Sequence, residues 1–338
     1  MNVFEFLGLD KAHRAKNKVV QLVKHFAEVN PKHEEEVLHK KVSFPMYAQC
    51  KRDGVFSMLV VRSDGKCGIF GRTGEQLANT ERLVSDYEGL ALLGHLSQGV
   101  YFAEMVTGFT CSLEELSGVL NPNRTKELAT QEQKLLKHNL YMAFFDCVSL
   151  GEFIEGESTR KFAQRYSSLM TNLYDTDCVL DIDVVNNVEE LMQYADRLIQ
   201  AGHEGAVFKQ DVGWLAGAKD WHQMKVVRRY EVDLECIGWE EGTGKYTGLV
   251  ANLLFRYKGG KTVKAMLGKG WTHQDARELY LDISSWDCND EHNRKVLGLR
   301  TPVGKVFRVY GLQPSSKNGV IRLPKVGDLR FDKTEPDF

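Results

Sequence analysis

The alternation of apolar and polar residues predicts both helices and strands in the first two-thirds of the chain. Apolar side chains between Val19 and Ala27 recur at helical spacing, which predicts a surface helix over residues 10–29. Asp64-Gly65 marks a turn between two runs of β-forming residues. Strands are predicted at 47–51, 55–62, 67–70, 100–107, 141–148, 206–209 and 222–227. Helices are predicted at 125–138, 159–173 and 188–201.

The pattern changes after about residue 229. Strand-like runs follow at 231–239, 250–257, 262–267 and 306–310, with a hairpin turn at Gly259-Gly260 and one predicted helix at 272–284. A run of strands with a single helix predicts a small β-barrel such as an OB-fold. We therefore predict an α+β protein with two domains, 1–229 and 230–338, and expect residues 334–338 to form a loose tail.

Composition narrows the class of protein. The chain has 338 residues, which suits two domains rather than one small core. It contains no apolar run of about 18 residues that would span a membrane, and its N-terminus lacks the basic start and apolar run of a secretory signal. The seven cysteines are scattered without a C-x-x-C pair, which argues against a zinc site and a disulfide framework and favours reduced thiols in the cytosol. The formal net charge of -2 neither indicates nor excludes a nucleic-acid partner, because binding follows the local field.

Candidate chemistry begins at a short charged turn, Lys51-Arg52-Asp53-Gly54, between two predicted strands. K-x-D-G alone arises by chance in many chains and, taken alone, favours an ordinary charged β-turn. Further along the chain, Arg72 follows a strand, and Glu104 lies inside the apolar run Phe-Ala-Glu-Met-Val. A carboxylate buried in such a strand needs a partner. The two interpretations of the turn therefore depend on what the rest of the chain supplies.

Four further segments carry charged or aromatic residues in apolar surroundings. These segments are F-D at 145–146, E-G-A-V-F-K at 204–209, W-H-Q-M-K at 221–225 and R-F-D-K at 330–333. If the second is extended from its first residue, Glu204 shares a strand face with Ala206 and Phe208, and Lys209 lies on the opposite face with Val207.

In this order and approximate spacing, the segments resemble the motifs of the covalent nucleotidyltransferases, the superfamily of DNA ligases, RNA ligases and mRNA capping enzymes. K-R-D-G resembles motif I, Glu104 motif III, F-D motif IIIa, E-G-A-V-F-K motif IV, W-H-Q-M-K motif V and R-F-D-K motif VI. The resemblance extends over residues 49–333, and the short chain is similar to small bacteriophage-type ATP-dependent DNA ligases. It implies an ATP-grasp-like nucleotidyltransferase domain followed by an OB-fold.

The resemblance implies that Lys51 is the nucleophile that carries AMP. A lysine amine attacks a phosphate only when it is uncharged, and nearby cations favour that form while neutralising charge in the transition state. The implied ATP-binding positions are Gln49, Cys50, Arg52, Arg72, Glu104, Phe145, Lys209, Lys219, Lys225, Arg330 and Lys333. Phe145 would stack on the adenine, and Glu204 and Glu104 would hold Mg²⁺ or another divalent metal. Arg330 and Lys333 would orient the pyrophosphate after a hinge motion near residues 228–230.

Three positions depart from the pattern most common in ligases. Phe56 stands where motif I usually has an arginine, whose task would fall to Arg52, Arg62 or Arg72. Gln223 replaces the first lysine of motif V. Gln49 stands where ligases often have a glutamate that reads the adenine amine, and a glutamine carbonyl can also accept that hydrogen bond.

The implied function is an ATP-dependent DNA ligase that seals nicks in duplex DNA through a lysyl-AMP intermediate and an adenylated 5′-phosphate. The stretch 268–272, Gly-Lys-Gly-Trp-Thr, resembles a glycine-rich segment of DNA ligase barrels. RNA ligases, which usually lack an OB-fold at this position, and capping guanylyltransferases, whose motif IV usually begins with Asp, remain alternatives. A non-catalytic nucleic-acid-binding module is the alternative from a different class. By resemblance we expect a cytosolic monomer, in the host cell if the source is a phage, that binds nicked duplex DNA and no membrane.

Overall fold

The computed structural model describes residues 1–26, 40–109, 111–173, 178–228, 230–268, 270–284, 301–312, 314 and 319–338. The chain divides into two compact units, Met1–Val227 and Arg228–Phe338. Parts of the predictions for residues 27–29, 229 and 269 fall outside the described residues. Within the described ranges, no helix is both long and apolar enough to cross a lipid bilayer.

The first unit mixes strands and helices, as predicted. Its strands are β1 (Lys24–His25), β2 (Met46–Lys51), β3 (Val55–Val61), β4 (Cys67–Gly71), β5 (Gly99–Thr107), β6 (Leu140–Val148), β7 (Glu157–Ser158), β8 (Asp183–Val185), β9 (Gly205–Lys209), β10 (Trp214–Leu215) and β11 (Gln223–Val227). Its helices are α1 (Val3–Phe6), α2 (Glu81–Leu92), α3 (Leu113–Leu120), α4 (Gln131–His138), α5 (Leu150–Glu155), α6 (Phe162–Asn172) and α7 (Val188–Gln200).

Two sheets form the frame of this unit. One is antiparallel with the order β4-β3-β5-β6, and the other has the order β1-β11-β9-β2-β8. Both faces of the first sheet are covered, because alternate residues of β3 enter two different apolar clusters. Leu59 and Val61 pack in one cluster, and Met58 and Val60 in the other. The second sheet packs against α7, where Leu191 joins a third cluster.

The prediction of a helix over residues 10–29 is wrong. The described part of this segment holds one 3-10 turn at Lys16–Lys18 and the short strand β1. Its backbone groups bond to a neighbouring segment instead of to each other: Leu22 N–H donates to the Ala218 carbonyl over 2.8 Å. Val19 and Val20 are buried because they pack on the first sheet. These two apolar residues are buried, but the backbone of this segment makes its hydrogen bonds to another segment and not within a helix.

The helix predicted at 125–138 is also too long. Helix α4 begins after Thr130, whose side chain caps it by accepting from Gln133 N–H. Upstream, Arg124 donates to the carbonyls of Lys126 and Glu127, which holds that stretch in a turn. Side-chain caps of this kind fix where a helix starts.

The second unit is built around a closed barrel. Its strands are β12 (Tyr230–Glu241), β13 (Val250–Tyr257), β14 (Lys261–Leu267), β15 (Val306–Leu312) and β16 (Arg322–Leu329). Among the described residues the barrel order is β12-β13-β14-β16-β15, and helix α8 (His273–Ser284) packs on β13. The barrel interior is apolar, with Leu234, Leu253 and Phe255 fully buried. The predicted β-barrel is therefore confirmed.

Two details of the second unit differ from the sequence prediction. Strand β16 has no counterpart in the sequence prediction, and it contains Pro324, a residue type that disfavours central strands. The tail at 334–338 is not loose. Asp337 N–H donates to the Asp233 carbonyl over 2.8 Å, and the Phe338 ring contacts Tyr257 edge-on at 5.5 Å.

Candidate active site

The charged turn of motif I joins the two sheets of the first unit. Lys51 ends β2 in one sheet, and Val55 begins β3 in the other. Gly54 is required at the crossing, because a Cβ there would lie 2.4 Å from the Met105 carbonyl oxygen and 2.7 Å from Cγ of Glu104. The turn is thus pressed against the strand that carries motif III.

A cavity of about 420 Å³ opens beside this turn. Its wall contains each residue of the first unit that the sequence assigned to ATP binding, together with the proposed nucleophile. They are Gln49, Cys50, Lys51, Arg52, Arg72, Glu104, Phe145, Lys209, Lys219 and Lys225. An open cleft of about 500 Å³ lies in the second unit, lined by Lys245, His273 and Arg277 among others, but it contains none of the motif residues. The motif residues of the first unit therefore converge on one concave, cation-rich site.

Lys51 is held at this site by a carboxylate. Its Nζ donates to Oε2 of Glu204 over 2.5 Å, and both side chains are partly exposed. The sequence prediction emphasised surrounding cations, which do line the cavity, but the direct contact is this ion pair. The sequence placed Glu204 on the strand face of Ala206 and Phe208 on condition that the strand is extended from Glu204. That condition is not met, because β9 begins only at Gly205.

Phe145 lies at a bulge in the first sheet. Phe102 pairs with Asp146 and Ala103 with Phe144, which leaves Phe145 as the extra residue of β6. Strand alternation places Phe144 in the core and Phe145 in the cavity wall, and the bulge then returns Cys147 to the core face of Phe144.

Phe56 stands beside Phe145 in the cavity wall. The two ring centroids are 6.1 Å apart, and the Arg72 guanidinium lies 5.6 Å from the centroid of Phe56. Arg62, one of three candidates to replace the missing motif I arginine, is directed elsewhere. It donates to the Phe6 carbonyl and pairs with Asp64. Arg52 and Arg72, which both line the cavity, remain as candidates.

Lys209 is almost completely buried in the wall of the cavity. Its Nζ donates to the Phe145 carbonyl over 2.9 Å and lies 4.7 and 4.4 Å from the ring centroids of Phe145 and Phe162. Burial lowers the pKa of Lys209 to about 8, although the Asp146 carboxylate opposes that change. Burial therefore weakens the preference of this lysine for its charged form.

Gln49 carries an oxygen without a partner. The side chain is buried, and its Nε2 faces the carbonyls of Phe145 and Leu180, each at 3.4 Å. With the nitrogen directed at these two acceptors, Oε1 is buried and makes no hydrogen bond. A buried unsatisfied acceptor is costly, which marks Oε1 as a place for a donor from a ligand.

The N-terminal segment contributes residues that the sequence prediction missed. Gln21, Leu22 and Val23 all line the cavity. Gln223, in the place of the first motif V lysine, donates from Nε2 to Gln21 Oε1 over 2.9 Å, and both side chains are buried. Gln223, which replaces the usual lysine, thus has Gln21 as its hydrogen-bond partner. No local pattern marked these residues, because segment 21–23 reaches the site only by packing on the loop before β11.

Glu104 faces the cavity from β5. Burial raises the pKa of its carboxyl to about 7, and the positive charge of Lys51 opposes the change. The native state then holds a proton that an unfolded chain with an ordinary carboxyl pKa of 4.5 has released. Native stability contributed by this group is therefore lost as the pH rises from about 4.5 to 7.

We expect Glu104→Gln to remove this pH dependence. The free energy of unfolding of the variant, relative to the unsubstituted protein, should rise by about 2 kcal/mol between pH 5 and pH 8, allowing for partial exposure. Urea unfolding at several pH values measures the difference. Glu88→Gln, at a carboxylate outside the cavity, is the control. Parallel stability curves for the Glu104 variant and the unsubstituted protein would contradict the raised pKa.

The basic residues of motif VI lie in the second unit. Arg330 and Lys333 both bind the buried Asp233 carboxylate, with N–O distances of 2.6 and 3.0 Å. Arg330 also binds Asp332, and Lys333 also binds Asp337. Within the second unit, Arg330 and Lys333 are therefore held by carboxylates. Their contact with ATP stays a prediction.

The carboxylates proposed to hold a divalent metal are too few to bind it alone, so phosphate oxygens of the substrate would have to complete the site. Among the described residues, no cluster of three or more His, Cys, Asp or Glu side chains could hold an ion. Glu104 lies in the wall of the cavity, and Glu204 contacts Lys51, which lines the same cavity. Oxygen ligands of this type suit Mg²⁺, which usually takes one or two carboxylates together with phosphate oxygens.

Comparison with known proteins identifies the family. Residues 25–226 match the family described as ATP dependent DNA ligase domain. DNA ligase 2 of Korarchaeum cryptofilum is 25% identical over 337 residues, covering 89% of this chain and 55% of the relative. The DNA ligase of Enterobacteria phage T4 is 24% identical over 246 residues, covering 61% of this chain and 49% of the relative. The chain thus spans about half the length of these curated relatives.

Solved structures share the fold. The structure named Pmar-Lig_Pre. has a TM-score of 0.71 at 18% identity and covers 93% of this chain and 68% of its own. The ATP-dependent DNA ligase from bacteriophage T7 in complex with ATP has a TM-score of 0.51 at 15% identity, covering 93% and 99%. The predicted α+β class, a nucleotidyltransferase domain followed by an OB-fold barrel, is confirmed. Since the matched family covers more than half of the sequence, the chain belongs to the ATP-dependent DNA ligase domain family.

Proposed function

We propose that this protein is an ATP-dependent DNA ligase that seals nicks in duplex DNA, with Lys51 as the nucleophile. The observation that supports this proposal most directly is the position of Lys51. It stands at the end of β2, against a carboxylate, in a cavity whose wall carries five further cations: Arg52, Arg72, Lys209, Lys219 and Lys225. Such a wall suits a polyphosphate, and an amine held within it suits nucleophilic attack on phosphorus.

In the first step, the Lys51 amine attacks the α-phosphorus of ATP. A nitrogen–phosphorus bond forms, the bond to the bridging oxygen breaks, and pyrophosphate leaves with the electron pair. Glu204 is within hydrogen-bond reach of Nζ and can accept the proton that the amine must lose. Lys209 and Lys225 would neutralise the charge that develops on the α-phosphate oxygens.

Two residues of the cavity suit the adenine ring. Phe145 presents its ring at the bulge and provides a stacking surface. The unpartnered Oε1 of Gln49 can accept a hydrogen bond from the exocyclic amine of adenine. Guanine carries an oxygen at that position, which would face the oxygen of Gln49. This arrangement favours ATP over GTP.

We expect Gln49→Met to weaken this preference. The substitution keeps the volume of the side chain but removes the acceptor, so the KM for ATP in lysyl-AMP formation should rise by about tenfold. Formation of lysyl-GMP should not be weakened in the same way, because the guanine oxygen makes no hydrogen bond to the Gln49 oxygen. Rates with both labelled nucleotides measure the ratio, and Gln210→Met, at another buried glutamine outside the cavity, is the control. An unchanged ATP-to-GTP ratio would exclude Gln49 as the base-reading residue.

The remaining steps transfer AMP to DNA. The 5′-phosphate of the nick attacks lysyl-AMP and takes the adenylate, and the adjacent 3′-hydroxyl then displaces AMP and closes the strand. A divalent metal held by Glu204 and Glu104 would neutralise phosphate charge. Arg330 and Lys333 are proposed to orient the pyrophosphate of ATP in the first step. The proposed partner is nicked duplex DNA, bound mainly through its backbone by a monomer in the cytosol.

The test has two stages. The protein is first incubated with α-labelled ATP or GTP and denatured, and a labelled protein band obtained with ATP supports the nucleotidyltransferase step. It is then supplied with nicked duplexes whose strands are DNA or contain RNA. Sealing of DNA–DNA nicks supports a DNA ligase, and a preference for RNA strands supports an RNA ligase. A folded protein that forms no labelled band with either nucleotide would overturn the proposal.

A further inference from the structure

A buried ion pair lies directly behind the proposed phosphate-binding lysine. Arg165, on α6, binds both oxygens of Asp146, with Nε–Oδ1 and Nη2–Oδ2 distances of 2.9 and 3.0 Å. Both side chains are only 2% exposed. Arg165 also donates to the carbonyls of Arg160 and Val212, over 2.5 and 3.0 Å. Its guanidinium is therefore fixed in one orientation by four hydrogen bonds.

The Asp146 carboxylate has a second cation within reach. Nζ of Lys209 lies 4.0 Å from Oδ2 of Asp146, which is too far for a hydrogen bond. The lysine instead donates to the Phe145 carbonyl, a neutral acceptor, over 2.9 Å. A fork of two N–H groups matches a carboxylate better than a single ammonium does, so Arg165 is the stronger competitor for Asp146.

We infer that Arg165 is a positioning residue that keeps the Asp146 carboxylate from Lys209, so that the lysine stays available to an anionic ligand in the cavity. Without Arg165, Asp146 would be a buried carboxylate with Lys209 as its nearest cation, and the two would pair. A lysine locked in that pair would bind the ATP phosphates poorly. This inference rests on the proposed function, because it takes the ligand of Lys209 to be the ATP phosphates.

A purely structural role for the pair leads to a different expectation. Removing either partner of a buried pair leaves an uncompensated charge and destabilises the fold to a similar degree. If the pair only supports the fold, Arg165→Met and Asp146→Asn should weaken ATP binding equally. If Arg165 restrains Asp146, only the loss of Arg165 should do so, because Asp146→Asn removes the group that would capture Lys209.

The experiment measures the dissociation constant of ATP in a Lys51→Ala background, where no adduct can form at residue 51. Urea unfolding curves recorded at several temperatures identify a temperature at which each variant is folded. We expect Arg165→Met to raise the dissociation constant about tenfold or more, which corresponds to the loss of one charged hydrogen bond. Asp146→Asn should raise it less than threefold, on the order of 0.6 kcal/mol or less. The double variant should return close to the background value.

Each outcome decides between explanations. Equal weakening by the two single variants would overturn the inference in favour of a structural role. A double variant that binds ATP as weakly as Arg165→Met would overturn it as well, because the arginine charge itself would then attract ATP. Should Arg165→Met fail to fold, Arg165→Lys replaces it, since a single ammonium leaves one carboxylate oxygen to Lys209. The proposed function is tested separately by lysyl-AMP formation in the unsubstituted protein, so the two can fail independently.

Discussion

Lys51→Ala should abolish the capture of AMP from ATP and leave the first unit folded. The side chain ends β2 at the cavity, so its removal opens space at the surface of the cavity and not in an apolar core. Without an amine, no nitrogen–phosphorus bond can form, and the loss should be complete within detection. Labelled ATP followed by denaturing electrophoresis measures the adduct, and a urea unfolding curve checks the fold.

Two variants sharpen this test. Lys137 is also an ion-paired lysine, bound to Glu81 over 2.9 Å, but it lies outside the cavity. Lys137→Ala should retain AMP capture at the normal rate. Lys51→Arg keeps the charge and the contact with Glu204 but provides a guanidinium that stays protonated, so it should also fail to form the adduct. A labelled band in the Lys51→Ala protein would remove the assignment of the nucleophile.

Glu204→Gln should lower the rate of lysyl-AMP formation by two orders of magnitude or more, about the contribution of a positioned base. The carboxylate contacts the Lys51 amine directly and is the nearest group that can accept its proton. Glu204 is also one of the two carboxylates proposed to hold a divalent metal. A glutamine keeps the shape and can still accept a hydrogen bond from Lys51, but it can neither take the proton nor offer a charge to a cation.

Single-turnover kinetics with excess ATP separate this effect from a change in ATP affinity. Glu88→Gln is a matched control, because Glu88 is similarly exposed and lies near Lys66, outside the cavity. It should leave the rate unchanged. If Glu204→Gln reacts within a few-fold of the unsubstituted protein at saturating ATP, Glu204 is neither the base nor an essential metal ligand.

The N-terminal segment illustrates where local sequence is insufficient. Its apolar spacing matched a helix, yet residues 21–23 form part of the cavity wall and belong to no helix. The alternative hydrogen-bond partners, such as the Ala218 carbonyl, lie about 200 residues away in the chain and leave no mark on the segment itself. Gln21 acquires a role only through Gln223, and neither residue alone indicates the contact.

The pairing of Arg165 with Asp146 illustrates the same limit at the site. In sequence, Arg165 is one polar residue of a helix, and the predicted helix gave no reason to bury it. The structure places it behind the cavity because α6 packs on β6, which carries Asp146. A buried arginine can be recognised only when its partner is known, since burial without one would be prohibitive.

By itself, the sequence identified most of the polar residues that line the cavity and the strands that carry several of them, but it did not identify residues 21–23. Motif order predicted that Lys51, Arg72, Glu104, Lys209 and Lys225 would share one pocket, and the period of two correctly placed Lys209 opposite Phe208. Tertiary structure decided how each side chain is presented. The bulge beside Phe145, the ion pair between Lys51 and Glu204 and the restraint on Asp146 all depend on contacts between residues distant in the chain. Local periodicity indicates which face of a strand a side chain occupies. Strand register, bulges and ion pairs form only when strands and helices pack together.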